Sequence, residues 1–141
     1  MRGKQPYKTV SGGHMYRSMM QVFVKESDKA LEFYRNVFNA ELLCSYPNPE
    51  GLIMHSELDV YGQILAVSEL MEENQMGEKP ETGNTMMFCL HFGAGKEAIV
   101  QRIYDSLKDA AKFLSPLEKC DYSPLNAHIV DKFGVRWCIF V

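Results

Sequence analysis

The stretch Val22-Phe23-Val24-Lys25-Glu26-Ser27-Asp28-Lys29-Ala30-Leu31 decides the fold, because the chain repeats its pattern. Leu90-His91-Phe92 leads into Gly95-Lys96-Glu97-Ala98-Ile99 and a second helical pattern, placing Ala98 68 residues after Ala30. A second landmark recurs as well. His55 precedes Gly62 and Ile64-Leu65-Ala66-Val67, and His128 precedes Gly134 and Trp137-Cys138-Ile139-Phe140. The separation is 73 residues at the histidines and 72 at the glycines. A unit of this size cannot close its own core, so two copies are expected to bury a shared one, with a ligand cleft where they meet.

Working outward, Ser18 to Lys25 is apolar and too short for a helix, and reads as a strand. Ser27 is the expected N-cap of the next helix, with Asp28 at its positive end. Ala30, Leu31, Tyr34, Val37 and Phe38 form its apolar stripe, and Asn39 suits a left-handed stop. Glu41 to Tyr46 and Leu52 to Val60 read as strands around the turn signal Pro47-Asn48-Pro49-Glu50-Gly51. Gln63 to Glu69 follows across Tyr61-Gly62 as a hairpin. Residues 70–84 are acidic and rich in breakers, hence a linker; Glu69, Glu72, Glu73, Glu78 and Glu81 read as a solvated surface.

The second half copies the order. Thr85 to Phe92 reads as a strand, and Ala98, Ile99, Ile103, Leu107 and Ala110 stripe a helix. Ala111 to Leu117 reads as a strand, Cys120 to Pro124 as a loop, and Asn126 to Asp131 with Val135 to Val141 as a closing hairpin. The expected class is therefore α+β: two β-α-β-β-β repeats, over residues 18–69 and 85–141, forming curved mixed sheets around a cleft with helices outside.

A chain of 141 residues with 46% hydrophobic content suits one globular domain, expected over residues 16–141. A net charge of -3 makes no case for nucleic acid, and no run of residues suits a membrane span. Four scattered cysteines without a C-x-x-C pair point to a reduced, cytoplasmic protein. Residues 1–15 are polar and aperiodic, and Gly12-Gly13-His14-Met15 resembles a cloning junction. They read as a disordered or cloning-derived leader, with Met15 the expected natural start.

Three stretches keep a particular order across Met20 to Val141. They are Ala30-Leu31-Glu32-Phe33-Tyr34 with Val37-Phe38-Asn39-Ala40-Glu41, then His55-Ser56-Glu57-Leu58, then Asp131-Lys132-Phe133-Gly134-Val135-Arg136-Trp137. Together with the duplication they resemble the PhnB-like subgroup of the vicinal-oxygen-chelate superfamily, which includes glyoxalases, bleomycin-resistance proteins and extradiol dioxygenases. The resemblance implies a homodimer, and in metal-using members four ligands from the first and last strand of each half. The matching positions here hold Gln21, Ala66, Cys89 and Cys138, or Met19 and Met87 in place of Gln21 and Cys89 if the register slips by two. A hard divalent ion wants oxygen or imidazole donors, so no family-type metal and no cofactor are expected.

His55 and Glu57 lie two apart on one strand and leave the same face. With His128 they form either polar contacts in a shared cleft or hydrogen-bonded structural residues. His91 lies at the cleft mouth or in water at a strand end. Phe23, Met54 and Trp137 are the expected apolar walls, the Trp137 indole N–H needing a partner. The candidate ligand contacts are thus Gln21, Phe23, Met54, His55, Glu57, His91, His128 and Trp137, with no residue assignable to catalysis. The expected function is small-molecule binding, after the precedent of resistance proteins that sequester ligands without metal. The alternatives are a metal-dependent or acid–base lyase, isomerase or dioxygenase, and a structural or regulatory dimer with a vestigial cleft.

Overall fold

The computed structural model describes residues 13–141. Most of the expected leader lies outside the described residues; Gly13, His14 and Met15 are exposed and belong to no element. Strand β1 (Met20–Val24) runs into helix α1 (Ser27–Phe38), followed by β2 (Glu41–Pro47), β3 (Ile53–Val60) and β4 (Gln63–Glu69). After the linker come β5 (Phe88–His91), α2 (Glu97–Leu107), β6 (Phe113–Leu114), β7 (Glu118–Cys120), β8 (Ser123–Val130) and β9 (Arg136–Phe140). The first sheet has the order β1-β4-β3-β2, and the second β5-β9-β8-β6 with β7 also on β8. In both halves the strand before the helix pairs in parallel with the last strand, so the duplicated topology is real.

Each sheet carries its helix on one face. Val22, Val24, Leu58, Val60, Leu65 and Val67 point into a core shared with Ala127, Ile129, Trp137 and Ile139 of the other half and with both helices. One core for two sheets is what the repeat demanded. Tyr34 and Phe38 of α1 pack on Trp137 of β9, with ring centroids 6.0 and 5.2 Å apart. Arg102 of α2 donates to the Val37 carbonyl (3.1 Å) and to the Tyr61 hydroxyl. Tyr61 and Gly62 both have positive φ (51° and 88°), the geometry a two-residue hairpin turn requires. The Tyr61 ring also meets Phe92 edge-on at 5.2 Å, so this turn ties the halves together.

Asp131 is the polar centre of the core. It is fully buried. One carboxylate oxygen accepts from the Tyr34 hydroxyl (2.7 Å) and the Trp137 indole (2.9 Å). The other accepts from the backbone N–H groups of Phe133 (2.9 Å) and Val135 (3.1 Å). Burial, and then the neighbouring Asp131, push the Tyr34 phenol far above its ordinary value, so it stays a donor.

Several elements depart from expectation. Ser27 is the first helical residue rather than the cap, which is Glu26 in the left-handed region. The Ser27 N–H donates to the Glu69 carboxylate (2.9 Å), and its hydroxyl accepts from Ile53 N–H (2.8 Å). Glu69 is therefore not linker surface: it is 7% exposed and caps α1 from the end of β4, an anion at a helix N-terminus. Asn39 does stop α1, with φ 48° and ψ 48°. Strand β5 is shorter than Thr85 to Phe92 because it pairs with β9 from Phe88↔Trp137 onward, and the chain before Arg136 is already turning. The strand expected at Ala111 to Leu117 shrinks to β6, with Ala110 in a positive-φ turn before it and Pro116 lacking an N–H after it. Cys120 to Pro124 is not a loop: Cys120 pairs with Ser123 across Asp121-Tyr122, which makes β7 and lengthens β8.

Removing the Asp131 charge leaves too few acceptors for four donors, two of them core rings. Asp131→Asn is expected to lower unfolding stability by about 3 kcal/mol in a denaturant titration. Glu69→Ala orphans the Ser27 N–H and is expected to cost about 1–3 kcal/mol by the same measurement.

Candidate functional site

Alternation along the strands puts one set of side chains opposite the helices. In the first sheet, pairing aligns Gln21 with Ala66, Ala66 with Glu57, and Glu57 with Cys44. In the second it aligns Cys89 with Cys138, and Cys138 with His128. Gln21, Ala66, Cys89 and Cys138 thus occupy corresponding places in the two halves. The same register corrects the pairing of His55 with His128. Glu57 is the counterpart of His128, and the place two residues earlier holds His55 in one half and Asn126 in the other. The cause is turn length: two residues separate Val60 from Gln63, but five separate Val130 from Arg136. Gly62 and Gly134 therefore sit at different points of their turns.

The polar residues of the first sheet form a connected cluster. The His55 Nε2 lies 2.8 Å from Glu57 Oε2. Arg17, just before β1, donates to both Glu57 oxygens at 2.5 and 3.2 Å, a bidentate pair. First Arg17 and then His55 hold the Glu57 carboxyl below its ordinary range. Tyr46 lies over the His55 ring at 6.3 Å and 27°. Cys44, His55 and Glu57 each bring one ligand-type atom within 4.8 Å of the others. Gln21 donates to Ser68 Oγ (3.1 Å) and the Val22 carbonyl (3.0 Å), beside Phe23, which is 41% exposed.

The second sheet is more aromatic. His91 stacks on Phe140 at 4.5 Å and 12°, and Tyr122 meets Phe140 edge-on at 5.3 Å. Asn126 donates to the Tyr122 hydroxyl (2.9 Å) and the Cys138 sulfur (3.3 Å). The Tyr122 phenol is pushed up to about 12, first by its hydrogen bond to Cys138. Loss of water around the sulfur, and then Cys138, raise the Cys89 thiol, which weakens it as a nucleophile. The His128 backbone N–H donates to Ser115 Oγ (2.8 Å). Among the described residues no hydrogen bond or ring contact joins His55 to His128.

One expected wall residue lies elsewhere. Trp137 is 1% exposed in the core, its N–H on Asp131. Met54 is exposed in the irregular step between the His55 and Ile53 pairings. Consecutive residues of a regular strand cannot share a face, so Trp137 beside Cys138 was excluded by alternation. Conversely, Arg17, Cys44 and Tyr46 were missed. Cys44 and Tyr46 alternate in the sequence, but register shifts in the β2–β3 pairing hide which residues they oppose. The linker between the halves, with β1 and the β8–β9 turn, lines a groove of about 1100 Å³ that includes Phe23, Met71, Met76, Met86 and Met87. A second, of about 700 Å³, is lined in part by Met19, Ile64, Cys89 and His91.

A family-type metal does not fit this donor set. One amide, one methyl and two thiols occupy the four places, and the Gln21 amide is already engaged with Ser68.

The Glu57 carboxyl gives a pH test. Its depressed folded value means the Arg17 pair is intact above the ordinary glutamate range and breaks as pH falls through the folded midpoint. A carbon-detected NMR titration is expected to place Glu57 below an exposed glutamate, and Arg17→Ala to move it upward.

No curated protein sequence matches the chain. Among solved structures, the protein PA1353 of Pseudomonas aeruginosa superposes with a TM-score of 0.74 at 18% identity, covering 89% of this chain and 97% of that one. The PhnB protein of Bacillus cereus gives 0.68 at 17% identity, covering 90% and 98%. The fosfomycin resistance protein FosX of Listeria monocytogenes gives 0.60 at 15% identity, covering 94% of each chain. At these identities the likeness establishes the fold. The sequence profile of the Glyoxalase/Bleomycin resistance protein/Dioxygenase superfamily matches residues 17–139, nearly the whole described chain, and the protein belongs to that superfamily.

Proposed function

We propose that this protein binds a small planar, largely apolar molecule on the helix-free side of its sheets, without a metal in the superfamily's row. The observation that carries this reading is that row itself. Gln21, Ala66, Cys89 and Cys138 stand in register but offer no hard-ion donor set, while the surface around them stays aromatic and pliable. Phe23 and the His91–Phe140 stack offer flat apolar surface. Methionine side chains, four of them lining the larger groove, adapt to irregular ligands. His55, Glu57 and His128 supply the polar contacts.

Sequestration, as in a resistance protein, fits better than turnover. The superfamily whose profile the chain matches includes bleomycin resistance proteins, and sequestration is the role drawn from them. The reading includes a homodimer, in which the helix-free faces of two copies complete the site. It also includes a cytoplasmic setting, suited to four free cysteines. No described helix is long and apolar enough to cross a membrane. One observation favours a second reading, acid–base catalysis of lyase or isomerase type: the His55–Glu57 hydrogen bond of 2.8 Å places an imidazole and a carboxylate together.

Chelator-treated protein titrated with anilinonaphthalene sulfonate, a planar apolar probe, is expected to give saturable fluorescence. Phe23→Ala and His91→Ala should weaken it, and Phe113→Ala, on the exposed β6, should not. Loss of binding on chelation, or indifference to both site variants, would overturn the reading. Conversion of a bound substrate that stops with His55→Gln would favour the catalytic alternative.

A further inference from the structure

We propose that Cys44, His55 and Glu57 form a binding site for a borderline-soft transition metal of the zinc type. This site lies on β2 and β3, away from the row where the superfamily's ion would lie. Three different donors converge there within 4.8 Å. Among the described residues no other set of three such donors does so. The β2–β3 ladder holds Cys44 directly opposite Glu57, and His55 leaves β3 on the same face. Two of the three donors are thus placed by paired backbone, and His55 by strand alternation and the Tyr46 ring over it.

The donor chemistry selects the ion. Thiolate, imidazole and carboxylate are the ligands of zinc-like ions, whereas magnesium and calcium prefer oxygen alone. Donors around one such ion sit about 3.5 Å apart, so small side-chain rotations close the site without moving the strands. A thiolate and a carboxylate neutralise a divalent charge. The His55 side chain is 36% exposed, which leaves room for water at a fourth position.

The present contacts describe a site already holding a cation. Arg17 pairs with Glu57, from a segment outside any strand, with its side chain 38% exposed. Metal binding displaces Arg17 from the carboxylate and turns His55 Nε2 from Glu57 to the ion. The Cys44 thiol gives its proton to solvent as the sulfur–metal bond forms, so binding strengthens as pH rises.

This site shares His55 and Glu57 with the polar edge of the proposed ligand face, but not Phe23 or the His91–Phe140 stack that the probe reads. Probe binding is measured on chelator-treated protein and metal binding without the probe, so the two ideas fail separately. The test is titration of the full chain, reduced with a phosphine, with Co²⁺ followed by Zn²⁺. One equivalent of Co²⁺ is expected to give a thiolate-to-cobalt charge-transfer band and intense tetrahedral d–d bands, both removed by Zn²⁺. Cys44→Ser and His55→Ala should abolish them, Cys89→Ser should preserve them, and Arg17→Ala should preserve or tighten binding. In the wild type, Zn²⁺ should also slow alkylation of Cys44, mapped by mass spectrometry, which keeps the proposal testable if a variant misfolds. No saturable Co²⁺ binding, bands that survive Cys44→Ser or His55→Ala in folded protein, or unprotected Cys44 would overturn it.

Discussion

The buried Asp131 carboxylate is the interaction on which the assembly of the two halves depends. Four hydrogen bonds converge on it, one from Tyr34 of the first half and three from the hairpin of the second. A buried carboxylate is costly unless its lone pairs are filled, and here each donor is itself fixed by packing. The carboxylate therefore sets the β8–β9 turn, holds Trp137 against α1 and gives the shared core a defined orientation. Glu69 acts similarly at smaller scale, tying the start of α1 to the end of β4. Both acids join elements distant in sequence, which an apolar core alone would orient less specifically.

With the helices and core on one side of each sheet, the opposite faces are released from structural duty. This separation lets a duplicated scaffold keep its fold while the residues on the other face change. Ala66 illustrates the point. It is fully buried between neighbours and accommodated by the sheet, and its methyl group offers that face no donor. Chemistry has diverged between the halves too. The first face is ionic, centred on Arg17, His55 and Glu57, while the second is built from stacked rings and thiols.

Much of the architecture was legible in the sequence because helix and strand periods differ and both recur after 68 residues. The α1 stripe, the Asn39 stop and the Tyr61-Gly62 hairpin all follow from local rules. The departures share one cause: contacts from distant elements. Glu69 resembled linker charge until Ser27 supplied its partner. Cys120 to Pro124 carried loop-type residues, yet Cys120 found Ser123 across a two-residue turn. Matching His55 with His128 failed because turns of unequal length shifted the register.

The sequence by itself determined the superfamily and the β-α-β-β-β plan of the duplication, apart from the extra strand β7 of the second half. These follow from residue identity and local periodicity, which require no knowledge of distant neighbours. Only the tertiary structure decided which residues meet. It placed Arg17 and Cys44 beside His55 and Glu57, withdrew Trp137 into the core, and matched Glu57 with His128. The physical reason is that strand pairing fixes side-chain neighbours through register, and register depends on turn lengths and bulges that a linear pattern does not encode.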